Sequence, residues 1–275
     1  MRANYRILGE SVKFLILFLS GIFCFADGLF SPIEMPEFDK KKAELGKKIY
    51  FETKFNPSKI SCDSCHNIYL NQSGTSKTKN TPTILNSALS TIFSQNRGIK
   101  NLNERLKRSF QNTFELNVRQ DALISIIKRN SHYVSEFNAL YDDGVNFENV
   151  VDALENFVKT LVTPNSKFDR FLRKEYKLSK DEQEGFSIFL DSGCASCHNG
   201  VNFGSNNYQH TLSKKTFTKV PTLRNLSKTA PYFDDTPNLA TAIEKMSIEK
   251  VNMPLQPHEI EKIIIFLQTL DGELP

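Results

Sequence analysis

The feature that most constrains this chain is a repeated pattern, Cys-x-x-Cys-His, which occurs at residues 62–66 and again at residues 194–198. One helical turn brings the two thiols of each copy to the same side. There they can form thioethers with the two vinyl groups on one porphyrin edge, while the adjacent imidazole reaches the iron. Each copy is therefore predicted to attach one c-type haem. The predicted attachment and proximal-ligand residues are Cys62, Cys65, His66, Cys194, Cys197 and His198.

The N-terminal residues have the pattern of an export signal. Residues 1–13 are basic, residues 14–23 are mostly apolar, and Cys24-Phe25-Ala26 has small residues at the positions that a signal peptidase reads. A run of about ten apolar residues is too short to span a bilayer. We therefore expect cleavage after about Ala26 and a periplasmic mature chain without a membrane span. Cys24 leaves a lipoprotein anchor open, although Phe23 stands where a lipobox has a small side chain.

Two alternatives compete for the four thiols of the repeated pattern. One structural zinc ion would need both pairs in a single site, yet 128 residues separate Cys65 from Cys194, whereas zinc-ligand pairs normally lie close in sequence. Redox-active disulfides of the thioredoxin kind belong to a βαβ context that this chain lacks. The export signal and the His in both copies favour haem. The formal charge of +4 is spread among interleaved acids and bases, so we do not expect nucleic-acid binding.

Helical periodicity dominates the rest of the chain. Apolar residues recur at helical spacing over residues 121–141, 150–161 and 260–270, and Ser179 with Glu182 forms a capping box that opens another helix. The predicted helix breaks are Gly144, residues 163–166 and Gly272. Runs of alternating strand residues are not evident. The long polar loops at residues 67–79 and 199–219 are expected to wrap around a large cofactor.

Beyond the two motifs, the sequence resembles the bacterial di-haem cytochrome c peroxidase family, which includes the MauG-type enzymes. The segments that carry the resemblance are, in order, LGKKIYF (45–51), NTPTILN (80–86), NSKFD (165–169), VPTLRN (220–225), TAPYF (229–233) and FLQTLDG (266–272). They cover nearly all of the chain after the signal. The resemblance implies an all-α fold with two cytochrome c-like helical domains, residues 27–176 and 177–275. Each domain would wrap one covalently attached haem.

The resemblance also implies a division of labour between the two haems. One haem reacts with hydrogen peroxide, and the other receives electrons from a small soluble donor such as a cytochrome c or a cupredoxin. Met246 stands where the family places the sulfur ligand of the C-terminal haem, with Met253 as the alternative. Glu115 aligns with the family's acid–base carboxylate. From spacing alone, Met246 is better explained as a core residue of an amphipathic helix. The alternative for Glu115 is a solvent-exposed residue at a helix end.

Further ligands follow from the same resemblance. A calcium ion would be held by the side chain of Asn80 and the backbone carbonyls of Thr229 and Pro231, because oxygen ligands suit a hard cation. Arg224 and Arg97 would neutralise haem propionates through bidentate hydrogen bonds. Members of the family often form homodimers, so a homodimer is also an expectation of the resemblance.

The chain departs from the family pattern in the region of the first haem. Many members have a His in the loop after the first motif, but residues 67–79 contain none, so we expect an open sixth position that needs no reductive activation. Otherwise Tyr69 or a Lys substitutes. The family's Phe-Trp-Asp-Gly-Arg has Ser94 in place of the Trp that often lies between the haems, and Arg105 stands where the peroxide pocket has a Gln. The missing Trp argues against MauG-like oxidation of a protein substrate.

The predicted function is a periplasmic peroxidase that reduces hydrogen peroxide to water. Electrons would enter at the haem of His198 and Met246 and end at the haem of His66. Two alternatives remain: a MauG-like di-haem oxidase of another substrate, and an electron carrier without peroxide chemistry. The three other histidines are expected to be solvated side chains, namely His132, His210 and His258.

Overall fold

The computed structural model describes residues 28–69, 74–76, 79–94, 98–99, 101–211, 216–232 and 236–275 of the 275-residue chain. The helices in these ranges are α1 (Lys40–Phe51), α2 (Leu102–Gln111), α3 (Gln120–Lys128), α4 (Ser131–Leu140), α5 (Phe147–Thr160), α6 (Lys167–Leu172), α7 (Lys180–Asp191), α8 (Leu239–Glu249) and α9 (Pro257–Gln268). Short 3₁₀ turns follow Asn86, Gly193 and Asn225, all of which have a left-handed backbone. The predicted helical fold is confirmed.

The first half is organised by α1 and α5, which cross in close contact. Val150, Val151 and Leu154 on α5 are fully or almost fully buried, as the helical spacing predicts. Gly46 lies at the crossing point, where an added Cβ would be 1.9 Å from the carbonyl oxygen of Ala153. Only a residue without a side chain allows the two backbones to approach this closely.

The second half repeats this arrangement with α7 and α9. Gly185 lies at the crossing, where an added Cβ would be 2.0 Å from the carbonyl oxygen of Lys262. In each half a Cys-x-x-Cys-His motif follows the first helix of the pair, so the two motifs occupy equivalent positions in two similar helical frames.

Helix ends agree with the sequence in some places and correct it in others. Ser179 and Glu182 exchange both hydrogen bonds of the predicted capping box. The predicted continuous pattern over 121–141 is wrong, because the chain breaks after α3 and Asn130 caps α4 by accepting a hydrogen bond from the backbone N–H of His132. Gly272 does not cap α9. It lies instead where an added Cβ would be 1.9 Å from the carbonyl oxygen of Thr163.

The polar loops contain short antiparallel hairpins that the sequence did not indicate. The strands β1 (Gly74–Ser76) and β2 (Lys79–Thr81) form one, and β3 (Tyr208–Thr211) and β4 (Thr216–Lys219) form the other. Strands of three or four residues are too short to show an alternating pattern against a polar background.

Two hydrophobic cores correspond to the two helix pairs. The first core lies between α1 and α5 and extends to Leu123, Ile127 and Phe137. The second is rich in phenylalanine: its rings are Phe30, Phe168, Phe186, Phe189, Phe203 and Phe266. Phe30 stacks on Phe203 with ring centroids 4.4 Å apart.

The domain boundary between residues 176 and 177 stays a prediction. Because α6 packs in the second core, the packing alone would favour a domain boundary before α6.

Buried asparagines join the two halves. The side chain of Asn86 accepts a hydrogen bond from the backbone N–H of Thr163 and donates one to the hydroxyl of Thr163, each at 2.8 Å. Asn225 ends the segment 220–225 as Asn86 ends the segment 80–86. Asn225 donates to the same Thr163 hydroxyl at 2.8 Å. Asn202 donates to the carbonyl of Asn86 at 3.0 Å. Together these bonds fix the junction between the halves.

Among the described residues, every helix is too short or too polar to cross a membrane. The predicted signal at residues 1–26 lies outside the described residues, so neither its cleavage nor Cys24 is tested by the structure.

Candidate functional site

The two motifs fold in the same way. In the first, the carbonyl of Cys62 accepts hydrogen bonds from the backbone N–H groups of Cys65 at 3.2 Å and His66 at 2.9 Å. In the second, the carbonyl of Cys194 accepts from Cys197 and His198 at the same two distances. Each motif is thus a single tight turn that holds two thiols and an imidazole together, as the spacing predicts.

The imidazoles are oriented by backbone carbonyls. Nδ1 of His66 lies 2.9 Å from the carbonyl oxygen of Pro82, and Nδ1 of His198 lies 3.1 Å from that of Phe203. A carbonyl can only accept, so Nδ1 carries the hydrogen and the lone pair is on Nε2. Desolvation lowers the pKa of both rings, which keeps them neutral and able to bind iron.

The four thiols of the two motifs form no disulfide with one another. Burial raises the pKa of Cys62 to about 12, and burial also raises the pKa of Cys65 and Cys194. Within the described part of the chain, side chains of His, Cys, Asp and Glu do not come together in threes as a metal site would need, which argues against one zinc ion shared by both pairs. Two thiols and a neutral, oriented imidazole are a donor set that fits covalently attached haem.

Charged side chains distinguish the first site from the second. Nη2 of Arg105, on α2, donates to both carboxylate oxygens of Glu115, at 2.9 and 3.1 Å. Nδ2 of Asn112 donates to Oε1 of Glu115 at 2.7 Å. Both charges act on His66: Arg105 lowers its pKa and Glu115 raises it, after the larger effect of burial. The influences on His198 are burial and the backbone carbonyls of Phe203 and Pro221.

A hairpin from the second half also approaches the first site. Burial and, to a smaller extent, the charge of Arg105 together lower the pKa of Lys219, at the end of β4, to about 8. Directly across the hairpin from Lys219 is Tyr208, whose hydroxyl donates to the carbonyl of Ser94 at 3.0 Å. The hairpin therefore connects the second half to the first at Ser94.

The predicted ligand of the second haem lies on α8. Met246 is partly buried and shares a face with Ala242, which is buried, and Ile243, which packs against the second core. The alternative, Met253, follows the helix and is 47% exposed. The position of Met246 is compatible with the predicted role, which stays a prediction.

Arg224 has contacts that differ from the predicted ones. It is fully buried, and its Nη1 and Nη2 pair with the carboxylate of Asp169 at 3.2 and 2.8 Å. Its remaining N–H groups point to the hydroxyl of Ser166 and to the carbonyls of Ser31 and Val201. With all five N–H groups directed at protein oxygens, this geometry does not favour propionate binding by Arg224, and that role stays a prediction.

The other predicted residues are placed only in part. Arg97 and the side chains of Asn80 and His210 lie outside the described residues. Thr229 and Pro231 are described and flank Ala230, whose peptide bond to Pro231 is cis. The calcium site stays a prediction. His132 and His258 are exposed, as expected. Tyr69 is 59% exposed and stacks on Phe51, with ring centroids 6.0 Å apart.

Sequence reasoning missed the ion pair at the first site. It identified Glu115 and Arg105 separately, as a carboxylate and as a departure from the family, but not as partners. A basic residue and an acidic residue on either side of a polar turn could have indicated the pair. This pattern is a weak indication unless the geometry of the turn is known.

Comparison with known proteins extends this picture. Residues 40–177 match the sequence profile of the di-haem cytochrome c peroxidases, and residues 182–271 match that of cytochrome c. Cytochrome c551 peroxidase of Nitrosomonas europaea is 32% identical over 85% of this chain and 80% of its own length. The methylamine utilization protein MauG of Methylophilus methylotrophus is 27% identical over 90% of this chain and 87% of its own length.

A solved structure supports the fold. The crystal structure of a MauG-like protein associated with microbial copper homeostasis superposes with a TM-score of 0.74 at 17% identity, and the match covers 89% of this chain and 93% of that one.

Proposed function

Because the chain belongs to the di-haem cytochrome c peroxidase family, we propose that it reduces hydrogen peroxide to water with electrons from a small soluble donor, in the periplasm. Each half binds one haem c. The observation that supports this function best is the asymmetry between two motifs of equal fold: the first has the Arg105–Glu115 pair beside its histidine, whereas burial and backbone carbonyls dominate the surroundings of the second.

Glu115 is proposed as the acid–base residue at the first site. Its Oε1 accepts two hydrogen bonds and its Oε2 accepts one, the longest of the three. Oε2 is therefore the atom with room to take a proton from the inner oxygen of peroxide and to return it to the outer oxygen, which leaves as water. The haem supplies the iron that binds peroxide and the path by which electrons arrive.

The two sixth positions complete the proposal. We propose that Met246 closes the haem of His198 and suits it to electron transfer, whereas the haem of His66 keeps an open position. Tyr69, in the described part of the loop after the first motif, is exposed and stacks on Phe51. We also propose the calcium ion at Asn80, Thr229 and Pro231, which elemental analysis of the purified protein would detect, and a homodimer, which sedimentation would detect.

Replacement of Glu115 by Gln tests the catalytic proposal. Glu115→Gln keeps the size of the side chain and removes the proton acceptor, so the rate of peroxide reduction should fall by about 100-fold or more. Stopped-flow mixing with peroxide, with a reduced small cytochrome c as donor, measures this rate. Glu104→Gln is a matched control, because Glu104 lies on α2, before the turn that holds Glu115, and forms an ion pair with Arg108 at 2.7 Å. Equal rates in Glu115→Gln and the wild type would exclude Glu115 as the acid–base residue.

A second candidate is a MauG-like oxidase, which the MauG relative favours. A peroxidase consumes peroxide in proportion to the reduced small donor that is added, whereas an oxidase of another substrate does not depend on that donor. Measuring peroxide consumption with and without reduced cytochrome c distinguishes the two. The electron-carrier alternative predicts no peroxide consumption in either case.

A further inference from the structure

The contacts of Arg105 connect α2 to the turn that follows it. Its Nη1 donates to the hydroxyl of Ser109, one turn further along α2, at 2.9 Å. Its Nη2 reaches both oxygens of Glu115. The two side chains are each about 30% exposed, at 30% and 29%, so the pair lies at a partly desolvated edge rather than at the open surface.

The turn after α2 creates this geometry. The carbonyl of Asn112 accepts hydrogen bonds from the backbone N–H groups of Glu115 and Asn117, each at 3.0 Å. Asn117 has a left-handed backbone with φ of 50°, and the N–H of Val118 then returns to the carbonyl of Phe110. The turn folds Glu115 back against the helix, so that a residue ten positions away in sequence meets the guanidinium.

We propose that Arg105 is a positioning residue that orients the carboxylate of Glu115 at the peroxide site. This inference rests on the proposed function, because it concerns the direction in which Glu115 presents its oxygens to peroxide. Ser109 holds Nη1 and thereby fixes the guanidinium plane, so that Nη2 faces both oxygens of Glu115. The positive charge of the guanidinium strengthens these hydrogen bonds.

Lys keeps the positive charge of Arg but lacks the second nitrogen that Ser109 holds in place. Charge and orientation can therefore be separated by substitution.

The experiment compares Arg105→Gln, Arg105→Lys and the matched control Arg108→Gln, in the haem-loaded protein. Arg108 lies one helical turn from Glu104 and pairs with it at 2.7 Å, at greater exposure than Arg105. Arg105→Gln should lower kcat for peroxide reduction by about tenfold with little change in KM, because the carboxylate loses its fixed direction. Arg105→Lys should recover only part of this loss, because it restores the charge but not the contact with Ser109. Arg108→Gln should change neither constant.

A double-mutant cycle supplies a readout that does not depend on turnover. Denaturant unfolding of the wild type, Arg105→Gln, Glu115→Gln and the double variant should show a coupling of about fivefold in the unfolding equilibrium constant. A coupling indistinguishable from zero overturns the proposal, as does a kcat of Arg105→Gln equal to that of the wild type. If the wild type does not react with peroxide, the proposed function fails, and the unfolding cycle alone decides whether Arg105 positions Glu115.

Discussion

The buried ion pair between Arg224 and Asp169 offers a sharp test of how the second half is held together. Both side chains are fully buried, and Arg224→Met would leave the carboxylate in a low-dielectric site without its counter-ion. Breaking a buried pair by removing one partner costs about 3–5 kcal/mol. The backbone N–H groups of Ile33 and Ser166, each 3.1 Å from Asp169, still stabilise the carboxylate, so we expect the lower end of this range.

Thermal unfolding of the haem-loaded protein, followed by circular dichroism, measures the effect. For a chain of this size, about 3 kcal/mol corresponds to a fall in Tm of about 5–6 °C. Arg119→Met is the control, because the Arg119–Asp121 pair is exposed and should leave Tm essentially unchanged. Asp169→Asn combined with Arg224→Met should recover part of the loss, since a neutral amide needs no counter-ion.

Two results would refute this reasoning. One is a Tm of Arg224→Met equal to that of the control. The other is an effect of Arg224→Met that does not change when Asp169 is replaced by Asn. The second result would mean that Arg224 acts mainly on another partner, such as the haem propionate that the family resemblance implies.

Two further predictions concern packing and charge. Gly46→Ala and Gly185→Ala should each lower the free energy of unfolding by about 1–3 kcal/mol, because the new Cβ would overlap a backbone carbonyl across the helix crossing. Denaturant unfolding measures this free energy, and wild-type values in both variants would contradict the prediction. Lys219 has its pKa lowered to about 8 by burial, so the unfolded state holds this proton more tightly. The free energy of unfolding should therefore rise by up to about 3 kcal/mol as the pH is raised from about 8 towards 10. Lys219→Met should remove this rise. A pH profile of Lys219→Met equal to that of the wild type would contradict the lowered pKa of Lys219.

Much of this architecture can be predicted from the sequence because local rules determine it. The capping box at Ser179 and the buried face of α5 follow from spacing alone, and each Cys-x-x-Cys-His turn is specified within five residues. In contrast, the break before α4 was missed although Asn130 is a strong N-cap residue, because the apolar pattern continues on both sides of it.

The remaining features depend on contacts between distant parts of the chain. Gly46 was identified as part of a family segment, but its physical reason is a backbone crossing that only the packed helices create. Phe30 lies far from the second core in sequence and stacks in it on Phe203. The pair of Arg105 and Glu115 needs a left-handed turn to meet. Patterns within one segment do not carry such information.

We propose that a sulfur ligand occupies the sixth coordination position of one haem iron, whereas the sixth position of the other is available to peroxide. The most direct measurement is the EPR and optical spectrum of the ferric protein as purified, followed by addition of peroxide without prior reduction. We expect one low-spin centre and one high-spin centre in equal amounts, with only the high-spin signal changing when peroxide is added. Two low-spin centres that both stay unchanged would contradict the account.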